Sequence, residues 1–322
     1  EALGYGDVPK DWTNAPSGTL LNGIKAVYPS PGDLNMRSLP DDYGTSYYFW
    51  GEVDNNYVRF AGMCWRIVRI TGDGSIKIAL YNYSSADCTQ TGDTLAFARY
   101  SGKKLNSKFN EKNDDNAHIG FMYGTPNSNT YAQTHANINK STILKNLETW
   151  YKSKLTTYTD KLADTIWCND KSTADLGYQK NKSFYGSYKR SVAKKPSLIC
   201  PNDNDGGKLS KFTVDDTKNG NGKLDYKIGL LTVDEIVLAG ILNDDNASVT
   251  SYLNSNANDD YWTLSPISFN RFYAYVWLTA DVGDLGDADV DNSLALRPVV
   301  SLKSATTISG GNGTASSPFV VQ

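Results

Sequence analysis

The chain has 322 residues, 39% hydrophobic and 21% charged, with 35 acidic against 32 basic side chains and a formal net charge of -3. That length supports a large buried core in one or two domains. Aromatics at 12% exclude disorder for most of it. No basic excess exists to neutralise phosphates, so nucleic acid is not an expected partner, and no apolar run reaches the roughly 18 residues of a bilayer span, so no membrane contact is expected. The bulk is small and polar, with 27 Gly and 29 Asn, as expected of many loops and short strands.

In chain order, residues 1–43 are proline-rich without sustained periodicity and read as an extended lead-in or linker. Glu1 in place of Met suggests a lost upstream segment, such as a signal peptide or anchor. Ser46 to Gly51 is a strand candidate. Tyr57 to Ile70 and Ser75 to Tyr81 are β-rich runs around Gly72-Asp73-Gly74, which predicts a hairpin. From Asn82 to Lys140 the chain is rich in Asn, Ser, Thr and Gly and reads as surface loop. Ser141 then precedes a helix over 141–158, because Ile143, Leu144, Leu147, Trp150, Tyr151, Leu155 and Tyr158 recur at three- and four-residue steps. A second polar insertion runs from 171 to 225. Thr232 with Glu235 forms a capping box that opens a second helix over 232–242. Strand candidates follow at Tyr261 to Pro266, Tyr273 to Thr279, Leu294 to Leu302 (with Pro298 at a bulge or edge) and Phe319 to Val321. The order is α+β, with two helices, short antiparallel strands and long loop insertions.

Cys64, Cys88, Cys168 and Cys200 are even in number and show no metal-ligand spacing. They suit two disulfides in an oxidising compartment, and pairing nearest neighbours gives Cys64–Cys88 and Cys168–Cys200. The other two connectivities, and reduced buried thiols, remain open on sequence alone.

Trp262-Thr263-Leu264-Ser265-Pro266, followed by Leu296-Arg297-Pro298-Val299-Val300, resembles the end of a C-type-lectin-like domain. It is similar to the branch shared with formylglycine-generating enzymes, whose final strands carry Trp-x-x-Ser and Arg-Pro-Val. Ser46 to Ile70, Thr232 to Ile236 and Gly310 to Val320 resemble a group of bacterial surface proteins with this domain. The resemblance covers 44–322 as one domain with insertions. It implies a fold whose termini meet in one small sheet flanked by two helices, with Trp262 and Arg297 as scaffold. It also implies a secreted or cell-surface location.

The enzymatic chemistry of that branch needs a late cysteine pair, yet no cysteine follows Cys200. His118 and His135 stand in polar segments without a nucleophile motif, so no enzyme is expected. The Glu-Pro-Asn, Gln-Pro-Asp and Trp-Asn-Asp motifs of calcium-dependent sugar binding are absent. No cofactor is expected; calcium is the alternative at Asp215–Asp225, a partial EF-hand match, or at Asp281, Asp284, Asp287, Asp289 and Asp291, which otherwise form a solvated acidic loop.

Between 267 and 292, core-type residues (Phe269, Ala274, Val276, Gly283, Leu285, Val290) alternate with a mixed set: Ile267, Ser268, Asn270, Arg271, Phe272, Tyr273, Tyr275, Trp277, Asp281, Asp284, Asp287 and Asp289. Tyr, Trp and Arg dominate binding hot spots, so this set is the expected ligand-binding face; packing of its aromatics against the insertions is the structural alternative. The set also has the composition of segments randomised in variable proteins of diversity-generating retroelements, which use this lectin-like branch. The expected function is non-enzymatic binding of a protein or glycan. A structural subunit of a surface filament and a calcium-dependent lectin are the competing readings.

Overall fold

The computed structural model describes residues 15–29, 35–174, 176–202, 209–242, 250–281 and 283–322. Its centre is the hairpin read from the sequence: Met63–Ile70 pairs antiparallel with Ile76–Asn82. The run from Tyr57 is broken once more, because Ala61 and Gly62 take φ of 52° and 72° and turn Tyr57–Phe60 back onto Met63–Ile70. Positive φ at both central residues matches the twist of the flanking strands. Gly44–Phe49 also pairs with Met63–Ile70, and Met36–Asp41 with Gly44–Phe49. The late strand Val299–Leu302 pairs with Ile76–Asn82, and Phe319–Val320 runs parallel to Tyr57–Phe60. Early and late strands of the chain therefore close one seven-stranded sheet.

Met63–Ile70 is buried at every position, and this accounts for its nearly continuous apolar run. Its two arginines need partners to be buried. Arg66 stacks 3.8 Å over the Tyr57 ring and donates from Nε to Asn56 Oδ1 at 2.5 Å. Arg69 forms ion pairs with Asp41 at 2.9 Å and Glu235 at 2.8 Å.

Part of the expected lead-in belongs to the body. Leu20–Val27 is a helix capped by Thr19, with Leu20 and Ile24 fully buried, and Met36–Asp41 is a strand. The helix lies so close to the last strand that a Cβ on Gly23 would come within 2.9 Å of Ile308 Cδ1 and 3.0 Å of the Phe319 ring. Its two turns are too short to show a periodicity above the surrounding prolines. Residues 1–14 and 30–34 of the lead-in lie outside the described residues.

The long helix is Thr142–Lys154, capped by Ser141 Oγ, and a 3₁₀ segment follows at Thr156–Lys161. Trp150 sets it against the first sheet, with its ring 6.4 Å from Trp65. The capped helix at Thr232 is shorter than expected: it spans Val233–Leu238, and Gly240 at φ 106° follows. Two further helices, Tyr131–Thr134 and Gly186–Ala193, lie in the insertions. These insertions are not plain surface loops. Phe97, Phe109, Phe121 and Phe212 are fully buried in the main core, as single anchors spaced too irregularly to mark an element.

A second sheet carries Tyr261–Phe269, Ala274–Thr279 and Leu285–Asp289 in antiparallel order, with Ser183–Phe184 on the other side of Tyr261–Phe269. Trp262 and Arg297 are scaffold: Trp262 Nε1 donates to Ser107 O at 2.7 Å, and Arg297 Nη1 to Leu253 O at 2.6 Å. The disulfides are Cys64–Cys88 and Cys168–Cys200. The architecture is α+β. Among the described residues, no helix is long and apolar enough to cross a membrane.

Candidate functional site

The face expected at 267–292 is built on the hairpin of Tyr261–Phe269 and Ala274–Thr279. At its tip Asn270 Oδ1 accepts the N–H groups of Phe272 at 3.1 Å and Tyr273 at 2.9 Å. Arg271 takes φ 84°, a left-handed conformation that a residue with a Cβ rarely adopts. This tight turn throws the next two rings outward: Phe272 is 65% and Tyr273 45% exposed. The Tyr273 ring lies 6.5 Å from Phe272 and 6.4 Å from Tyr275, so the three aromatics form one cluster.

Cross-strand register extends the cluster sideways. Asp289 pairs with Tyr275, Tyr275 with Ser268, and Ser268 with Phe184. Directly paired residues share a face of the sheet, so an acid, a tyrosine, a serine and a phenylalanine stand in one row over four strands. Partial burial, then the charge of Asp289, raises the Tyr275 pKa. Partial burial, then the Asp291 charge, raises that of Asp289. Asp281 and Asp287 are exposed and Asp284 is half-buried, which makes this edge acidic. Asp291 accepts from Asn113 Nδ2 at 2.9 Å.

Three residues of the expected set are not surface. Ile267 and Ser268 lie in a strand paired on both sides and are buried. Trp277, 6% exposed, donates from Nε1 to Ser187 Oγ at 3.2 Å, under the helix Gly186–Ala193. For Trp277, packing against the insertion is the correct reading. Of the expected core residues, Phe269, Ala274, Val276, Leu285 and Val290 are buried, while Gly283 is half-buried.

A groove that the sequence did not mark adjoins the row at Phe184. It has a volume of about 540 Å³ and is lined by Ala174, Leu176, Phe184, Tyr188, Val192 and others. Leu176 is 77% and Val192 68% exposed, and the Tyr188 ring lies 4.9 Å from Phe184. The available signal was weak: apolar residues in a polar insertion, at no regular spacing. Ser183–Phe184 is a two-residue strand whose partner lies far along the chain.

The remaining candidates are structural in their contacts. Arg69, Lys77, Asp41 and Glu235 form a buried ionic cluster, with Lys77 2.6 Å from Glu235. Beside it Arg190 bridges Asp170 at 2.7 Å and Asp234 at 2.8 Å. The cavity they enclose is about 20 Å³, room for a water and no larger ligand. His118 and His135, expected in polar loops, are both buried. All four cysteines are disulfide-bonded. Asp216 of the expected calcium loop accepts from Tyr43 OH at 3.0 Å. Among the described residues, no group of three or more His, Cys, Asp or Glu side chains is placed to hold a metal ion. Comparison with protein-family models, curated proteins and solved structures found no match to this chain.

Proposed function

We propose that this chain is a non-enzymatic, secreted or cell-surface ligand-binding protein on a C-type-lectin-like fold, and that it binds through the hairpin tip 270–275 and its acidic edge. One observation carries the reading: Phe272 and Tyr273 are held out in water by a left-handed turn, beside Tyr275 and a row of aspartates. Exposed apolar rings in a cluster mark interaction surfaces, and Tyr supplies contact area at low conformational-entropy cost. The closure of the sheet by the strand after Arg297-Pro298 supports the fold assignment, and two disulfides support an oxidising location. The site is revised to Asn270, Arg271, Phe272, Tyr273, Tyr275, Asp281, Asp284, Asp287 and Asp289, the exposed and half-buried members of the expected set. In a hypervariable protein these positions would differ between copies while Trp277 and Ile267 stay apolar.

The test is a panel of immobilised glycans and extracellular proteins probed with the full chain, with and without a calcium chelator. Retention of one ligand class that survives the chelator is expected. Retention lost with the chelator would favour a calcium-dependent lectin, and no retention at all would contradict the proposal. Light scattering addresses the filament alternative, to which the groove at Leu176 and Val192 offers an apolar surface. A monomer is expected, and a stable polymer would favour the structural subunit.

A further inference from the structure

Away from the hairpin face, the two insertions meet at a buried lysine and asparagine. Lys171 and His135 are fully buried and Asn137 nearly so. Lys171 Nζ donates to Asn137 Oδ1 at 2.5 Å and to Met122 O at 3.2 Å, and lies 4.9 Å from the Phe212 ring centre. Both reacting residues are held in place by their neighbours. Asn137 Nδ2 donates to Leu209 O at 2.9 Å, which fixes the amide with its oxygen toward the amine. The Lys171 N–H donates to Ser210 Oγ, and its carbonyl accepts from Tyr131 OH.

We propose that Lys171 and Asn137 form an intramolecular isopeptide bond, made by the protein itself. Nζ gives up a proton and attacks Asn137 Cγ, and the carbonyl oxygen carries the negative charge of the tetrahedral intermediate. The Nζ–Cγ bond forms and the Cγ–Nδ2 bond breaks. Two protons leave Nζ in all and end on Nδ2, which departs as ammonium. Atoms and charge balance without an oxidant or co-substrate. Contact between amine and amide replaces a bimolecular encounter, and departure of the ammonium moves a buried positive charge into water. The product is a third covalent staple, insensitive to reductant, beside Cys168–Cys200.

The experiment is the intact mass of the purified full chain after reduction and denaturation, followed by peptide mapping. The expected mass is lower than that of the sequence by one ammonia, with a branched peptide joining the fragments that contain Asn137 and Lys171. Asn137→Ala and Lys171→Arg should each restore the full mass. A full-mass wild-type chain with separate fragments would overturn the bond. So would an ammonia loss mapped to a cyclised asparagine in an unbranched peptide.

Discussion

At the scale of single residues, Glu235 and Arg271 show opposite uses of an unfavourable position. Burial alone would raise the Glu235 carboxyl, but Lys77 and Arg69 dominate and hold it at about 2, below its ordinary 4.5. A depressed folded value means that the ion pairs stabilise the fold fully above pH 4.5, and that this contribution is lost as pH falls from 4.5 toward about 2. Glu235→Gln leaves two buried cations facing a neutral amide and should cost roughly 3–5 kcal/mol at neutral pH. Urea unfolding of both proteins across that acid range checks it: the two stabilities should converge as pH falls. Arg271 is held at φ 84° with nothing buried to require it. Strained backbone persists where function uses it. Arg271→Gly should therefore raise stability by about 0.5–1 kcal/mol while weakening ligand binding, as read from thermal melts and a binding titration on the same samples.

At the scale of elements, the strand Ala274–Thr279 separates site from core by its alternation. Tyr275 and Trp277 fall on one face, yet only Tyr275 meets solvent, because the helix Gly186–Ala193 covers Trp277. Trp277→Ala should cost about 3–5 kcal/mol through the cavity it leaves. Tyr273→Ala should stay within about 0.5 kcal/mol. Chemical denaturation of the two variants compares them directly. The sequence showed this strand and its alternation but not the covering helix. Covering is a tertiary fact, set by a segment some ninety positions earlier, as the separation of 90 between Ser187 and Trp277 records. The helix Thr142–Lys154 and the hairpin Met63–Asn82 were legible for the contrary reason: their hydrophobic periodicity and their turn lie within one local window.

At the scale of the whole molecule, early and late strands close one sheet, and the insertions contribute anchors to its core. Strands from Met36 onward and the late strands Val299–Leu302 and Phe319–Val320 share that sheet, while the small helix Leu20–Val27 and the row Asp289–Tyr275–Ser268–Phe184 did not show in the sequence. Neither has a repeating pattern of its own; one is two turns long, and the other exists only across four strands. The disulfides join residues 24 and 32 positions apart. Each should contribute about 3 kcal/mol by restricting the unfolded chain, so reduction should lower the melting temperature by several degrees at least. A scan with and without reductant measures this.

In the function proposed here, the hairpin tip is an exposed ligand surface and not misplaced core. The triple substitution Phe272→Ala, Tyr273→Ala and Tyr275→Ala tests it most directly, by titration against the ligand retained by the wild-type chain and melting of the same sample. The account predicts a loss of affinity of at least a hundredfold, about 3 kcal/mol, with a melting temperature close to wild type. Unchanged affinity, or a collapsed melt, would contradict it.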